Sequence, residues 1–326
     1  ACLIAGIIHF ALGSVIQKLR FLFPPLVTGL VILAIGLYLI PVAIKYAAGG
    51  AAEFQMNADS FGSLMHWTVA LTVVVVALAF KFLTKGTASN AAILIGLIAG
   101  YVVAFLFGMV NFGGIVKASW FQIPTIMPYG FEFSLGAVIG VTLVSIVSAI
   151  ETVGDTSATT KAGAGRDATD EEVAGATYAD GLGTAVAAVF GGLPNTSFSQ
   201  NVGIVGMTGI MSRHVVTIAG AILIVCGLIP KIGAVISSMP LPVLGGGVIV
   251  MFGMVAAAGM NMLTEITMTR RNMVIISVSL AVGLGLNLVP SAVQYLPGIW
   301  KTLATSAVAP TALLAVVLNL VLPHEE

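Results

Sequence analysis

Apolar runs of helical length recur along the whole chain and constrain its fold more than any other feature. A helix needs about 20 mostly apolar residues to cross a bilayer. Hydrophobic residues make up 58% of the chain and charged residues 8%, whereas soluble domains carry about 25% charged residues. The sequence therefore predicts an all-α polytopic membrane protein. Its eleven segments lie at roughly 2–17, 24–44, 64–83, 91–112, 134–155, 172–190, 198–212, 214–229, 243–263, 272–289 and 303–322, the seventh being short and broken near 194–212.

The charge balance and the cysteines exclude several other classes of protein. The net charge is zero and no basic block occurs, so the chain lacks the positive surface that nucleic-acid binding requires. Cys2 and Cys226 both lie in apolar runs, where a free cysteine behaves as a small hydrophobic residue. We expect no disulfide framework, no metal site and no cofactor.

Basic residues indicate the orientation of the segments, because cytoplasmic loops are enriched in Lys and Arg. Nine basic residues fall on one side of the eleven segments and four on the other. This predicts that the nine-residue side and the C-terminus are cytoplasmic. The nine are Lys18, Arg20, Lys81, Lys85, Lys161, Arg166, Arg213, Arg270 and Arg271, and the four are Lys45, Lys117, Lys231 and Lys301.

Two distant stretches of the chain match each other. Residues 25–36 align with residues 242–253 at five of twelve positions, and chance matching of simple apolar sequence is the alternative explanation. The stretches belong to the second and ninth segments, so they cross the membrane in opposite directions. This predicts the inverted repeat of secondary transporters. Because two seven-segment repeats need fourteen segments and the chain begins in an apolar run without Met, we expect three N-terminal segments to be missing.

A polar, glycine-rich stretch at residues 200–209 interrupts the apolar pattern. Gln200 and Asn201 each present a hydrogen-bond donor and an acceptor, and the glycines let the backbone leave a regular helix. Residues 194–197 predict a break just before this stretch, so Gln200 is expected near the positive end of a short helix. A cavity that binds a polar ligand is one interpretation, and helix capping or bonding between helices is the other.

Three carboxylates lie in or beside the predicted segments. Glu151 and Asp155 are four residues apart and share a helix face. An ionisable residue inside a membrane is by default a functional candidate, and the alternative is that this pair ends its helix at the membrane boundary. Asp180 is expected to be buried, with a structural or proton-linked role. Three histidines are expected to pack or to lie at interfaces rather than to carry protons: His9, His66 and His214.

At these residues the chain resembles the nucleobase/ascorbate transporter family, the nucleobase-cation symporters, and within it the bacterial xanthine and uric acid permeases. The resemblance covers essentially the whole chain. Its motifs are Gln200-Asn201-x-Gly203-x-x-x-x-Thr208-Gly209, Glu151-x-x-Gly154-Asp155 with Thr159, Ala179-Asp180-Gly181-Leu182 and Phe23-Pro24-Pro25-x-Val27-Thr28-Gly29.

The resemblance implies a role for each polar residue of the candidate site. Glu151 would hydrogen-bond the base, Gln200 would be the second main ligand, and Asn201 would shape the same pocket. Asp180 would be an essential buried carboxylate. Asp155 occupies the position at which uracil-type members carry a proton-coupling histidine.

The resemblance also implies a substrate and a mechanism. Uracil-type members carry Glu at the position of Gln200. Gln200 and Gly209 together favour an oxidised purine as the substrate. We therefore expect a secondary active transporter that imports xanthine, uric acid or a related purine with protons, sodium being the other possible ion. The alternatives are a uracil or other nucleobase permease and an anion transporter of the same fold. An intramembrane aspartyl protease is disfavoured because Tyr178-Ala179-Asp180 lacks the adjacent Tyr-Asp pair, so we expect no enzyme.

The fold implied by the resemblance has fourteen spans in two inverted seven-span repeats. A core domain that binds substrate would comprise residues 1–17 and 134–229. A gate domain that forms a homodimer would comprise residues 18–133 and 230–326, and the core would move past the gate like an elevator. We expect a multi-pass protein in the lipid bilayer of a bacterial inner membrane.

Overall fold

The chain is nearly all helical. The computed structural model describes residues 1–22, 24–131, 133–198 and 200–323, so Phe23 of one motif lies outside the described residues. Within these ranges no strand occurs, and eleven helices have nine residues or more. These are α1 (Cys2–Leu19), α2 (Pro25–Ala47), α3 (Leu64–Leu83), α4 (Ala92–Leu106), α5 (Leu135–Ala164), α6 (Asp170–Val189), α7 (Gln200–Thr208), α8 (Arg213–Leu228), α9 (Leu241–Thr264), α10 (Arg270–Leu288) and α11 (Val308–Val321). Shorter α-helical pieces lie at Ala51–Gln55, Thr87–Asn90, Gly113–Lys117, Pro230–Ser237 and Gly298–Ala304, and 3₁₀ turns at Arg20–Leu22 and Pro290–Val293.

Each of the eleven predicted segments overlaps one of these helices, which confirms the all-α prediction. Judged by length and composition, five helices can each cross a bilayer alone: α2, α3, α5, α9 and α10. Helix α8 and the piece Pro230–Ser237 meet at a bend of 93°, and together they form either a sixth, broken span or a re-entrant loop. The short seventh segment is also as predicted, because α7 has nine residues and follows a non-helical stretch at 192–198.

Helix α5 is longer than the predicted segment, which ended at residue 155. Its 30 residues continue to Ala164. The hydroxyls of Thr156, Ser157 and Thr160 donate to the carbonyls four residues earlier at 2.7 to 2.8 Å. The polar run therefore satisfies its own hydroxyls along the helix, in the back-bonded geometry open to Ser and Thr, and the helix does not end at Asp155.

The chain divides into two compact units. The first comprises Ala1–Tyr38, Thr125–Gly209 and Met254–Glu326, and the second comprises Leu39–Pro124 and Ile210–Gly253. These units group residues by proximity. The core and gate domains expected from the resemblance are defined differently, as the parts that move against each other during transport. The division into core and gate therefore stays a prediction.

Helices α2 and α9 run antiparallel where they touch. In the first unit, a Cβ added at Gly36 of α2 would overlap the backbone of Ala256 in α9. In the same unit, a Cβ added at Gly259 of α9 would overlap the backbone of Leu33 in α2. Residue numbers rise along α2 as they fall along α9. This is the relation that the predicted inverted repeat of residues 25–36 and 242–253 requires.

Within the first unit, α1 packs against α5 and α6. Ile16, Val153 and Val173 are buried together at one part of this packing. Further along the seam, a Cβ at Gly181 of α6 would overlap the backbone of Phe10 in α1. Glycine permits such close approach of helix backbones, and the approach brings the residue before Phe10, His9, next to Asp180.

Candidate functional site

One face of α5 carries the polar residues of the candidate site. Val144, Ser148, Glu151 and Asp155 follow one another at spacings of four, three and four residues, so they form a single stripe along the helix. Helix α5 packs against α1, α6 and α7. Two of these helices carry the other candidate residues, Asp180 on α6 and Gln200 and Asn201 on α7.

The non-helical stretch before α7 contacts all three candidate carboxylates. Consecutive residues at 195, 196 and 197 each donate a side-chain hydrogen bond to a different carboxylate. The three contacts are Asn195 Nδ2 to Asp180 Oδ1 at 3.3 Å, Thr196 Oγ1 to Glu151 Oε2 at 3.4 Å and Ser197 Oγ to Asp155 Oδ2 at 2.6 Å. The break predicted at this point thus supplies hydrogen-bond donors as well as an interruption of the helix.

Glu151 is half-buried and lines a cavity of about 330 Å³ within the first unit. The hydroxyl of Ser148 donates to Thr196 Oγ1 at 2.7 Å, and Thr196 in turn donates to Glu151. The volume is at the lower end of the range for small-molecule sites. The cavity is lined by Tyr38, Val144, Ser148, Glu151, Pro194, Thr196, Thr302, Leu303, Ser306, Val308 and Ala309.

Asp155 lies one turn further along α5 and is nearly inaccessible, with 4% of its surface exposed. The bond from Ser197 at 2.6 Å has the length typical of a hydroxyl donating to a charged carboxylate. Asp155 is therefore a buried acid with a firm partner, whereas Glu151 faces a cavity.

Asp180 sits in a separate buried cluster between α1, α5 and α6. Thr152 donates its hydroxyl to Asp180 Oδ2 at 2.7 Å. His9 Nε2 lies 3.6 Å from the same oxygen, an ion-pair distance slightly too long for a hydrogen bond. His9 Nδ1 and Ser145 Oγ are 2.9 Å apart. His9 is only 1% exposed and Asp180 7%, so this cluster is closed to solvent.

Helix α7 begins at Gln200, so Gln200 and Asn201 lie in its first turn as predicted. The side chain of Gln200 lies outside the part of the chain that the structure describes, and Asn201 is exposed. Gly203 and Thr208 belong to the same helix. Gly209 has a φ of +68° and donates its N–H to the carbonyl of Val205 at 2.7 Å, which ends the helix as a left-handed glycine does.

The structure thus gathers the predicted carboxylates on α5 and α6 beside the start of α7. Two contributions were missed by the sequence reasoning. His9 is buried, as the predicted packing role requires, but the sequence gives no signal for its contact with Asp180, 171 residues away. At residues 195–197 the sequence analysis predicts a break in the helix but no hydrogen-bond donors to the carboxylates. A run of three polar side chains between apolar helices is the signal that indicates such donors. The described residues contain no group of three His, Cys, Asp or Glu that could hold a metal ion.

Known proteins similar to this chain share one activity in their names. The profile of a permease family, Xan_ur_permease, matches residues 1–292. A putative purine permease of Clostridium perfringens, CPE0397, is 39% identical over 99% of this chain and 70% of its own length. The uric acid transporter UacT of Escherichia coli is 37% identical over 98% of this chain and 66% of its own length. The xanthine permease XanP of Escherichia coli is 32% identical over 99% and 70%.

A solved structure shares the fold. The transmembrane domain of the cyanobacterial bicarbonate transporter BicA superposes with a TM-score of 0.57 and 15% sequence identity, covering 97% of this chain and 74% of that domain. At this identity the likeness concerns architecture alone. The relatives named above and their family are permeases rather than enzymes, and the chain spans roughly two thirds of their length. This multi-pass membrane protein belongs to the permease family that includes xanthine and uric acid permeases.

Proposed function

We propose that this permease imports a purine base, either xanthine, uric acid or a close relative, together with protons. The observation that carries the proposal is the cavity of about 330 Å³ with the carboxylate of Glu151 on its wall. Oxidised purines present several N–H groups, and a carboxylate accepts hydrogen bonds from such donors more strongly than a neutral oxygen does. The relatives named for uric acid and xanthine support the same substrate class.

The residues around Glu151 suit a ligand with alternating donors and acceptors. The hydroxyls of Ser148 and Thr196 lie on the cavity wall, and each can donate or accept. Gln200 and Asn201 complete the site in this proposal, since both are in the first turn of α7. The positive end of the dipole of this helix favours the carbonyl oxygens of the base.

Proton coupling is assigned to the buried carboxylates. Asp155 lies on α5, the helix that carries Glu151, and Asp180 lies on the adjacent α6. Each is contacted by the stretch 195–197 directly before α7. A shift of α7 on binding would change the donors that these acids receive. Protonation of a carboxylate and occupation of the site would then be linked.

The transport movement is proposed to be an elevator-like shift of residues 1–17 and 134–229 against residues 18–133 and 230–326 within a homodimer. The antiparallel contact of α2 and α9 and the fold shared with a transporter domain support an inverted-repeat architecture. The excess of basic residues on one side favours a bacterial inner-membrane protein with a cytoplasmic C-terminus.

Uptake of labelled xanthine by permease-deficient cells tests the proposal. The full-length protein that carries this chain is expressed, and unlabelled urate, guanine, hypoxanthine and uracil serve as competitors. We expect saturable uptake that purines block, that a protonophore abolishes and that Glu151→Gln removes. Glu171→Gln makes the same change at an exposed acid in the first turn of α6 and should leave uptake unchanged.

Each part of the proposal has its own contrary result. Absence of purine uptake despite normal insertion would remove the substrate assignment. Purine uptake that persists with a protonophore and requires sodium would show that sodium, and not the proton, is the coupling ion. Labelling of cysteines introduced near the C-terminus by a reagent outside intact cells would contradict the proposed cytoplasmic C-terminus.

A further inference from the structure

A second, larger cavity adjoins the candidate ligand cavity at Leu303. The second cavity has a volume of about 510 Å³ and lies in the same unit. It is lined by Ile146, Ile150, Leu286, Leu296, Trp300, Leu303, Ala304, Ala309, Pro310, Ala312, Leu313 and Val316, all of them apolar or amphipathic. Leu303 and Ala309 line both cavities. The two side chains therefore lie between the cavities. The first is called the polar cavity here because Glu151 and five other polar residues line it, whereas no charged residue of the described chain lines the second, apolar cavity.

The arrangement of α5 explains why the two cavities adjoin. Ile146 and Ile150 are four residues apart and face the apolar cavity. Ser148 and Glu151 face the polar cavity. Neighbouring residues on a helix point about 100° apart, so Ile150 and Glu151 place the two cavities on adjacent faces of one helix. The two residues that line both cavities are Leu303, in the short helix Gly298–Ala304, and Ala309, in α11. Both lie outside α5.

We propose that Leu303 is a specificity-determining residue that restricts the site to purines without N-alkyl groups. An unsubstituted xanthine presents mainly N–H and C=O groups, which the residues of the polar cavity can pair. An N-alkyl group has to enter apolar space, and the Leu303 side chain occupies the way to it. This inference depends on the proposed purine transport, and it predicts that shortening Leu303 joins the cavities and admits alkylated xanthines.

The size of the effect follows from the burial of hydrocarbon. Each methylene removed from water favours binding by about fourfold. In the variant Leu303→Ala, 1-propylxanthine should therefore gain more than 1-methylxanthine does. The expected gain is about fourfold for methyl and on the order of tens of fold for propyl, while the inhibition constant of xanthine itself changes less than about threefold.

Competition against labelled xanthine uptake measures these constants in the full-length protein. Leu313→Ala is the matched control, because Leu313 lines only the apolar cavity. A double variant, Leu303→Ala with Ala309→Leu, refills the space between the cavities from the other side and should restore exclusion of the alkyl group. If Leu303→Ala inserts poorly, Leu303→Val provides a smaller opening with a proportionately smaller gain.

A second measurement separates this inference from the proposed function. Ser148→Cys, in a background with Cys2→Ala and Cys226→Ala, places one thiol in the polar cavity. N-propylmaleimide and N-benzylmaleimide should react faster, relative to N-methylmaleimide, when Leu303 is also changed to Ala. Equal ratios with and without Leu303→Ala would overturn the proposed role of Leu303, whether or not xanthine is transported. Normal xanthine uptake with unchanged inhibition by alkylxanthines would overturn it as well.

Discussion

Glu151 and Asp180 are both acids within the membrane helices, yet their surroundings differ in kind. Glu151 is half-buried, lines a cavity and accepts a hydrogen bond from Thr196 at 3.4 Å. Asp180 is 7% exposed and lies against Thr152, Asn195 and His9. A carboxylate with many fixed partners holds helices together. A carboxylate that faces a cavity is placed to meet a ligand.

The difference separates stability from binding. Replacing an acid that faces a cavity alters what can bind there, and the fold loses little. Replacing an acid in a closed cluster leaves its partners without a counterpart, and a buried polar group left unsatisfied costs about 1 to 3 kcal/mol. The comparison therefore predicts effects of different kinds at two residues on neighbouring helices.

The largest expected effect is the loss of stability in Asp180→Ala. The substitution removes the acceptor that Thr152, Asn195 and His9 contact, and each buried polar group left unsatisfied costs about 1 to 3 kcal/mol. The thermal unfolding midpoint of the detergent-solubilised protein should fall sharply, with reduced insertion in cells. Glu171→Ala, an exposed acid on the same helix, should change stability by less than about 0.5 kcal/mol. Equal midpoints for the two variants would show that the Asp180 cluster does not hold α1 and α6 together.

Glu151→Gln should show the opposite behaviour, with normal thermal unfolding and weak binding. A hydrogen bond to a charged group contributes about 1.5 to 3 kcal/mol, so the dissociation constant of xanthine should rise about 10- to 150-fold. Binding of labelled xanthine to the purified protein measures this without depending on transport. A variant that binds normally but melts early would place Glu151 with the structural acids and remove the contrast.

The close seam between α1 and α6 offers a third test, because it positions His9 against Asp180. Gly181→Ala would force a methyl group into the backbone of Phe10, and overpacking of this kind typically costs 1 to 3 kcal/mol. Gly175→Ala is the control on the same helix, since a Cβ there meets nothing within 4 Å.

At Gly175 the substitution should be neutral or stabilising by up to about 1 kcal/mol, as Ala favours helix over Gly. Thermal unfolding of both variants gives the comparison. If Gly181→Ala melted like Gly175→Ala, the helices would have room to separate and the geometry of His9 and Asp180 would not depend on their contact.

The helices can be predicted from the sequence because the pattern that indicates each helix is local. Each apolar run contains enough information to predict one helix, and Gln200 was correctly expected at the start of a short one. Bounds were less predictable where polar residues continue a helix, as in α5 beyond Asp155, because back-bonded hydroxyls make a polar run compatible with helical structure.

The partners of the carboxylates were largely beyond the sequence because they depend on packing between distant segments. Asp180 was expected to be buried from its apolar surroundings in the chain. Its neighbour His9 is brought beside it only by the crossing of α1 and α6 at Gly181. The spacing of Glu151 and Asp155 correctly placed them on one face of α5, but nothing local indicated that Thr196 and Ser197 would reach them.

The smallest expected effects come from two serines three residues apart on α5. They compare the Glu151 cavity with the Asp180 cluster at the level of single hydroxyl groups. Ser145 is buried against His9, and Ser148 lines the cavity with Glu151. Each hydroxyl is worth about 1 kcal/mol as a neutral hydrogen bond. Ser145→Ala should therefore lower the unfolding midpoint by a few degrees and leave the affinity for xanthine unchanged.

Ser148→Ala should do the reverse, weakening binding by about fivefold at constant stability, since its hydroxyl donates to Thr196 in the cavity. Both variants remove the same atoms from the same helix, so differences in helix propensity cancel between them. Thermal unfolding and xanthine binding measured on both proteins give four values. Parallel changes in the two variants would mean that the Glu151 cavity and the Asp180 cluster act as one structural unit, and that the separation of binding from stability along α5 does not hold.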